Sequence, residues 1–243
     1  MRRVEHVMGF PVSLRIDDTH VPEGAADDVF AWLREADARF SPFRADSEVS
    51  RLDRDEIAPD EVGPDLAEVL AIGERYRIAT GGAFDVRPPG RRLDPCAVVK
   101  GWAVQRAADR LTAAGVRRFC LNAGGDVVVA GGPWRVGVRH PEHAGQVCAV
   151  LELTDGAVAT SGRYERGEHI LDARTGRPAT GLLGVTVLAP TLTEADVVAT
   201  AAFALGPDGV AWAAAQDGCE VYAVGADRRV RRTAGVPLAR AAA

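Results

Sequence analysis

Asp196 and Thr200 lie four residues apart in EADVVATAAFALG, whose apolar periodicity predicts a helix, so a carboxylate and a hydroxyl fall on one face. Such a pair can share a magnesium ion, with water and phosphate oxygens completing the shell. The same residues also suit a purely structural role, with Thr193 capping the helix and Asp196 at its third position, where an acid favours the helix N-terminus. His169 stands in a compact polar set, after Thr160-Ser161-Gly162 and before Asp172, Arg174 and Thr175. A histidine there is either a base working near neutral pH or a partly buried residue of an edge strand. A third set runs from Leu93 to Asp126, LDPCAVVKGWAVQRAADRLTAAGVRRFCLNAGGD. Asp94 is an anion on a turn set by Pro95, and Lys100 follows within one short loop, just before Gly101. An anion, a cation and exposed main-chain carbonyls then meet, which suits a polar ligand or a hard metal ion. A loop, helix, strand and Gly-Gly turn are also ordinary scaffolding in any mixed α and β domain.

The elements that must position these groups are readable from periodicity. After Gly101 a helix carries Trp102, Val104, Ala107, Ala108 and Leu111 on one face, and Gly115 stops it. Phe119 to Leu121 reads as a short buried strand, and Asn122 to Asp126 as a turn where backbone can approach a ligand. Upstream, Val4 to Ile16 reads as a strand pair or one bent strand, broken at Gly9 and Pro11, with Met8 beside the break. Asp27 to Phe40 is an amphipathic helix, followed by a loop holding Phe43 and a polar turn from Ser47. Phe43 either stacks on a flat ligand or anchors the loop in the core. Asp65 to Ala79, entered through Pro64, is a second helix ending at Thr80-Gly81-Gly82, ahead of Ala83-Phe84-Asp85-Val86. Downstream come strands at Val127 to Ala130, Trp134 to Arg139, Val147 to Leu153 and Gly156 to Ser161, a short one from His169 to Asp172, and one at Val185 to Ala189. The Asp196 helix, an Ala-rich helix and a hairpin (Glu220 to Val224, Arg229 to Arg232) close the chain. Strands and helices come in blocks, so the expected class is α+β, in one domain over residues 1–243.

Composition excludes some classes. The 243 residues are 47% hydrophobic and 26% charged, with a formal net charge of -5 and a pI of about 5.6. There is no general basic field for nucleic acid. Cys96, Cys120, Cys148 and Cys219 form no CxxC pair or zinc spacing and read as free thiols, buried where they lie in apolar runs, which suits a reducing compartment. No signal-peptide core and no apolar run of transmembrane length is expected, so a cytoplasmic protein is the simplest inference.

Taken together, the segments resemble the ApbE family of FAD:protein FMN transferases along nearly the whole chain. Those that carry the resemblance occur in the family's order: Met8-Gly9, FSPFRADSEVSRL, GGAFDV, LDPCAVVKGWAVQ, LNAGGDVVVAG, ATSGRYERGEHILDARTG and EADVVATAAFALG. The resemblance implies a single ApbE-like domain that moves the FMN part of FAD to a threonine hydroxyl of an acceptor protein, as a phosphoester, releasing AMP with magnesium as cofactor. By position, it implies that Met8, Phe43, Ala83, Phe84, Asp85, Asp94, Lys100 and Ile170 contact FAD. The main-chain carbonyl of Ala97 with Asp196 and Thr200 would hold magnesium, His169 would be the base, and Asn122 to Asp126 would line the site.

The chain departs from the family pattern in places. Phe43 stands where tyrosine is frequent, Pro95-Cys96 follow Asp94 where Leu-Gly is usual, and Ala173 replaces a proline after Asp172. The export signal of many relatives is not expected here, in keeping with an expected cytoplasmic form. Two other readings remain open on sequence: a magnesium-dependent FAD pyrophosphatase giving FMN and AMP, and a flavin-binding carrier without catalysis.

Overall fold

A computed structural model describes residues 1–163, 167 and 169–239. Its backbone is an antiparallel sheet of eight strands in the order β1-β2-β3-β4-β7-β10-β11-β12. β1 (Arg2–Val7) and β2 (Phe10–Ile16) form a hairpin in which Val7 faces Phe10, so Met8-Gly9 is its two-residue turn. Both turn residues have positive φ, 58° and 81°, the geometry that matches the twist of a tight hairpin. The break in the Val4 to Ile16 segment is therefore at Gly9, and Pro11 lies within β2. β3 (Phe119–Ala123) adds to β2 and turns through Gly124-Gly125 into β4 (Asp126–Ala130). β7 (Gly156–Gly162), β10 (Leu182–Ala189), β11 (Glu220–Gly225) and β12 (Val230–Arg232) complete the sheet.

Side chains alternate across the sheet, as the two-residue period of a strand requires. On one face Leu121, Val128, Ala157, Ala159, Val185 and Val187 join the large core, covered by α1 (Ala25–Phe40), α4 (Cys96–Ala113) and α5 (Leu192–Leu205). On the other, Val127, Val129, Val158 and Leu188 pack beneath the hairpin of β5 (Trp134–Arg139) and β6 (Val147–Leu153). α2 (Glu48–Asp53), α3 (Pro64–Ala79), α6 (Gly209–Ala214) and the short pair β8 (Leu171–Asp172) and β9 (Arg177–Pro178) fill the margins. The architecture is α+β, as expected.

Several local expectations change. The stretch from Cys96 to Gly101 is not a loop: α4 starts at Cys96, five residues before Gly101. Asp94 Oδ1 accepts the Cys96 N–H at 3.0 Å, and the Pro95 carbonyl accepts from Val98 and Val99 at 2.8 and 2.9 Å. These partners satisfy donors of the first turn, and burial of Val98 and Val99 holds it to the core. At the other end Gly115 has φ +91, and Val116 and Gly115 donate to the Leu111 and Thr112 carbonyls, each at 3.0 Å, which closes the helix as a glycine terminus does. Ser47 does not begin a turn. It caps α2, accepting the Ser50 N–H at 3.0 Å. The cap of α5 is Thr191, not Thr193: its hydroxyl accepts the Glu194 N–H and donates to Glu194 Oε2. Asp196 is thus one turn inside the helix. Only Leu171–Asp172 of the His169 to Asp172 segment is strand. Among the cysteines only Cys219 is buried, and Cys96, Cys120 and Cys148 are half-buried. The apolar stretch Leu192–Ala214, at 23 residues, is long and apolar enough to be a candidate membrane span, contrary to the sequence reading, and 56% of its most apolar window is buried inside the fold. Gly206-Pro207 interrupts it between α5 and α6.

Candidate active site

Where α4 crosses α5 the two helices come into close backbone contact. A Cβ on Gly101 would sit 2.6 Å from the Leu192 carbonyl oxygen and 2.7 Å from Asp196 Cβ, so only glycine fits there. This crossing sets Lys100 against the start of α5. Its Nζ lies 2.5 Å from Asp126 Oδ2 and 3.4 Å from Asp196 Oδ1. Both carboxylates are buried at 2% exposure, and the Lys100 side chain keeps 27%. Asp126 opens β4, and its Oδ1 accepts the Thr160 N–H of β7 at 3.0 Å. One turn beyond Asp196, the Thr200 hydroxyl lies 3.1 Å from that of Ser161 on β7. Asp196 and Thr200 therefore share a face, as their spacing requires.

The electrostatics follow from burial. Desolvation pushes the Asp196 carboxyl up to about 7; Lys100 opposes the shift and Asp126 adds to it. Burial by itself would lower the Lys100 pKa, yet the Asp126 and Asp196 carboxylates outweigh it and hold the ammonium well above its ordinary value. Asp126 Oδ2 and Asp196 Oδ2 are both buried without a hydrogen-bond partner, but Asp126 Oδ2 has the Lys100 ammonium at 2.5 Å, whereas that ammonium pairs with the other oxygen of Asp196. A buried anionic oxygen left open is costly, and it is the feature here that fits a hard cation. The Asp196 carboxylate and the Thr200 hydroxyl supply oxygen donors on one face of α5. Ala97 lies one turn before Gly101 on the same side of α4, and helix geometry directs its carbonyl along the axis toward Gly101. No group of three or more His, Cys, Asp or Glu side chains able to hold a metal occurs among the described residues. A cation here would have few protein ligands, which suits magnesium completed by phosphate and water.

The other expected residues occupy separate positions. Met8 is at the β1–β2 turn, half-buried against the core. Phe43 is 83% exposed, so it does not anchor its loop in the core. Ala83 and Phe84 are buried, Phe84 packing edge-on to Tyr76 at 6.5 Å. Asp85 is half-buried and accepts the Arg87 N–H at 2.8 Å. The Ala83 carbonyl accepts the Ala173 N–H at 3.0 Å. Proline at 173 could not make that bond, so the sequence departure there has a structural use. Ile170 packs against the core, and its carbonyl accepts the Ala179 N–H at 3.0 Å. His169 is exposed, with Nδ1 3.2 Å from the Gly167 carbonyl. A carbonyl only accepts, so Nδ1 carries the proton and Nε2 is left able to take one. Tyr164, Glu165, Arg166 and Glu168 of the polar connection lie outside the described residues.

The expected pairing of Asp94 with Lys100 is not found. Asp94 is exposed and accepts the Cys96 N–H just ahead of α4, whereas the helix carries Lys100 inward to Asp126 and Asp196. No hydrogen bond or ion pair links Met8, Phe43 or Asp94 to the Lys100 group among the described residues. Asp126 as the partner of Lys100, and Ser161 as the partner of Thr200, were not assigned from sequence. The acid at the end of a Gly-Gly turn and the serine in the polar set before His169 were the available signals.

Comparison with known proteins bears on this arrangement. The model of the ApbE family matches residues 8–88 and 86–223. The chain is 36% identical over 202 residues to the FAD:protein FMN transferase of Rhodobacter capsulatus, covering 78% of this chain and 36% of that protein. It is 26% identical to the FAD:protein FMN transferase of Haemophilus influenzae, covering 85% of this chain and 80% of that one. The chain thus spans about a third of the first relative's length and most of the second's. Two solved structures share the fold at 23% identity: flavin transferase ApbE from Vibrio cholerae, with a TM-score of 0.82 over 96% of both chains, and the ApbE protein of Thermotoga maritima, with a TM-score of 0.84 over 96% of this chain and 97% of that one.

Proposed function

Because the chain belongs to the ApbE family, we propose that it transfers FMN from FAD to a threonine hydroxyl of an acceptor protein, forming a phosphoester and releasing AMP, with magnesium as cofactor. The observation that carries this reading is the buried, unpartnered Asp196 Oδ2, one turn from Thr200 and beside Lys100. The names of the relatives supply the flavin donor and the protein acceptor.

In this reading Asp196, Thr200 and the Ala97 carbonyl hold magnesium, which when bound supplies positive charge against the pyrophosphate oxygens of FAD. Lys100 has three N–H donors; with two turned to Asp126 and Asp196, the third serves a phosphate oxygen. Phe43 offers an exposed ring to stack on the flavin, and Met8, Ala83, Phe84, Asp85, Asp94 and Ile170 complete the FAD contacts. His169 Nε2 takes the proton from the acceptor threonine. The threonine oxygen then bonds to the FMN phosphorus as that phosphorus releases its bond to AMP. The thiols of Cys120, Cys148 and Cys219, which form no disulfide, support a cytoplasmic setting for the reaction.

Exposure of His169 favours one second reading, because water can reach it as easily as a threonine. Incubation with FAD and magnesium, with AMP measured chromatographically, tests the phosphorus chemistry shared by both. Wild type should release AMP and Asp196→Asn should not. AMP release by the variant at the wild-type rate would remove Asp196 from the reaction, and its absence in wild type supplied with acceptor would leave a flavin carrier.

A further inference from the structure

The Lys100 ammonium is shared unequally. It lies 2.5 Å from Asp126 Oδ2 and 3.4 Å from Asp196 Oδ1, and Asp196 Oδ2 has no hydrogen-bond partner. Asp126 is itself fixed, buried at 2% exposure with its other oxygen on the Thr160 N–H of the neighbouring strand. We infer that Asp126 is a positioning residue that draws the Lys100 ammonium aside, so that Asp196 keeps an oxygen open for the divalent cation. This rests on the magnesium reading above.

The reason is competition between cations. Lysine is a compact point charge on a flexible stem. With Asp196 as its only buried anion, Lys100 would settle on that carboxylate and occupy it as an internal cation. Asp126 prevents this in two ways. It offers the ammonium a nearer oxygen, and with Asp196 ionised it sets two carboxylates against one ammonium, an excess of negative charge that attracts a second cation. The tight Gly101 crossing fixes how far α4 stands from Asp196. Where the ammonium rests is then decided by which carboxylate draws it.

Asp126→Asn tests this, because asparagine keeps an oxygen for the Thr160 N–H and nearly the same shape. Mn2+ serves as the probe, titrated into protein without FAD and followed by the EPR signal of free Mn2+. Asp126→Asn should bind Mn2+ about tenfold or more weakly than wild type, and adding Lys100→Met should restore affinity to within about threefold, since the competing ammonium is gone. Unchanged affinity in Asp126→Asn overturns the inference. So does a loss that Lys100→Met fails to restore, because Asp126 would then act as a ligand or through the fold. If Asp126→Asn does not fold, Lys100→Met alone should bind Mn2+ at least as tightly as wild type, and weaker binding overturns the inference. Wild type that binds no Mn2+ with or without FAD retires the magnesium site and the inference with it. That failure is distinct from one in which wild type binds and the variants break the pattern.

Discussion

Asp196 carries a charge that folding opposes. Burial first, and Asp126 after Lys100 has been set against it, move its pKa from an ordinary 3.8 to about 7. Between those values the folded chain holds a proton that the unfolded chain has lost. The contribution of this group to stability is therefore full below about pH 4 and is lost as pH rises through about 7. In metal-free protein kept in chelator, urea unfolding should show stability falling across that window. Asp196→Asn should flatten the slope and gain roughly 1–3 kcal/mol at pH 8, while AMP release is lost. A variant that is less stable at pH 8 would show the carboxylate to be stabilising after all. At the third helical position expected from sequence, loss of the acid would cost about 1 kcal/mol; burial one turn inside the helix reverses the sign. Phe43 gives the complementary case. An 83% exposed ring contributes little to the fold, so Phe43→Ala should leave the urea midpoint unchanged and weaken FAD binding by about 0.5–1.5 kcal/mol, the worth of a stacking contact. A fall in stability with FAD affinity intact, read by calorimetry, would make Phe43 a structural residue.

The α4–α5 crossing organises the site. Glycine within a helix is unfavourable, and Gly101 is there because the Leu192 carbonyl and Asp196 Cβ leave no room for a side chain. Gly101→Ala should cost about 1–3 kcal/mol by overpacking, and should displace Asp196 from Lys100. Activity should fall further than the lost stability explains at temperatures where the variant remains folded; a variant with normal turnover would show that the crossing has slack. The crossing was hidden in sequence. Trp102, Val104, Ala107, Ala108 and Leu111 announced α4, but Pro95 and the small residues after it imitated a loop. The helix starts early because Asp94 and Pro95 satisfy its first donors and because Val98 and Val99 have a core to enter, a tertiary fact that periodicity does not contain. Thr191 was passed over as the cap of α5 for a similar reason, since Thr193 fits the same signal two residues later.

For the whole molecule, the sheet explains which parts of the site were legible. Most strands were readable from alternation and turns, and the α+β class from their blocks. The order β3-β4-β7-β10 was not. That order puts Asp126 beside Thr160 and Ser161 beneath Thr200, joining residues 34 and 39 positions apart in sequence. Asp196 with Thr200 was visible because helical spacing is local. Lys100 with Asp126 and Asp196 was not, because it depends on a helix crossing laid over a strand neighbour. The residue list came from the family's motifs, and the geometry now gives Lys100, Asp126, Asp196 and Thr200 a common location, while His169 remains at the surface, where an incoming protein can meet it. The account as a whole depends on transfer to protein rather than to water. The most direct measurement is the intact mass of a co-expressed, threonine-bearing acceptor after denaturation. The account predicts a mass increase of one FMN, dependent on FAD, magnesium and His169, with one AMP released per acceptor modified; an unmodified acceptor alongside free FMN and AMP would contradict it.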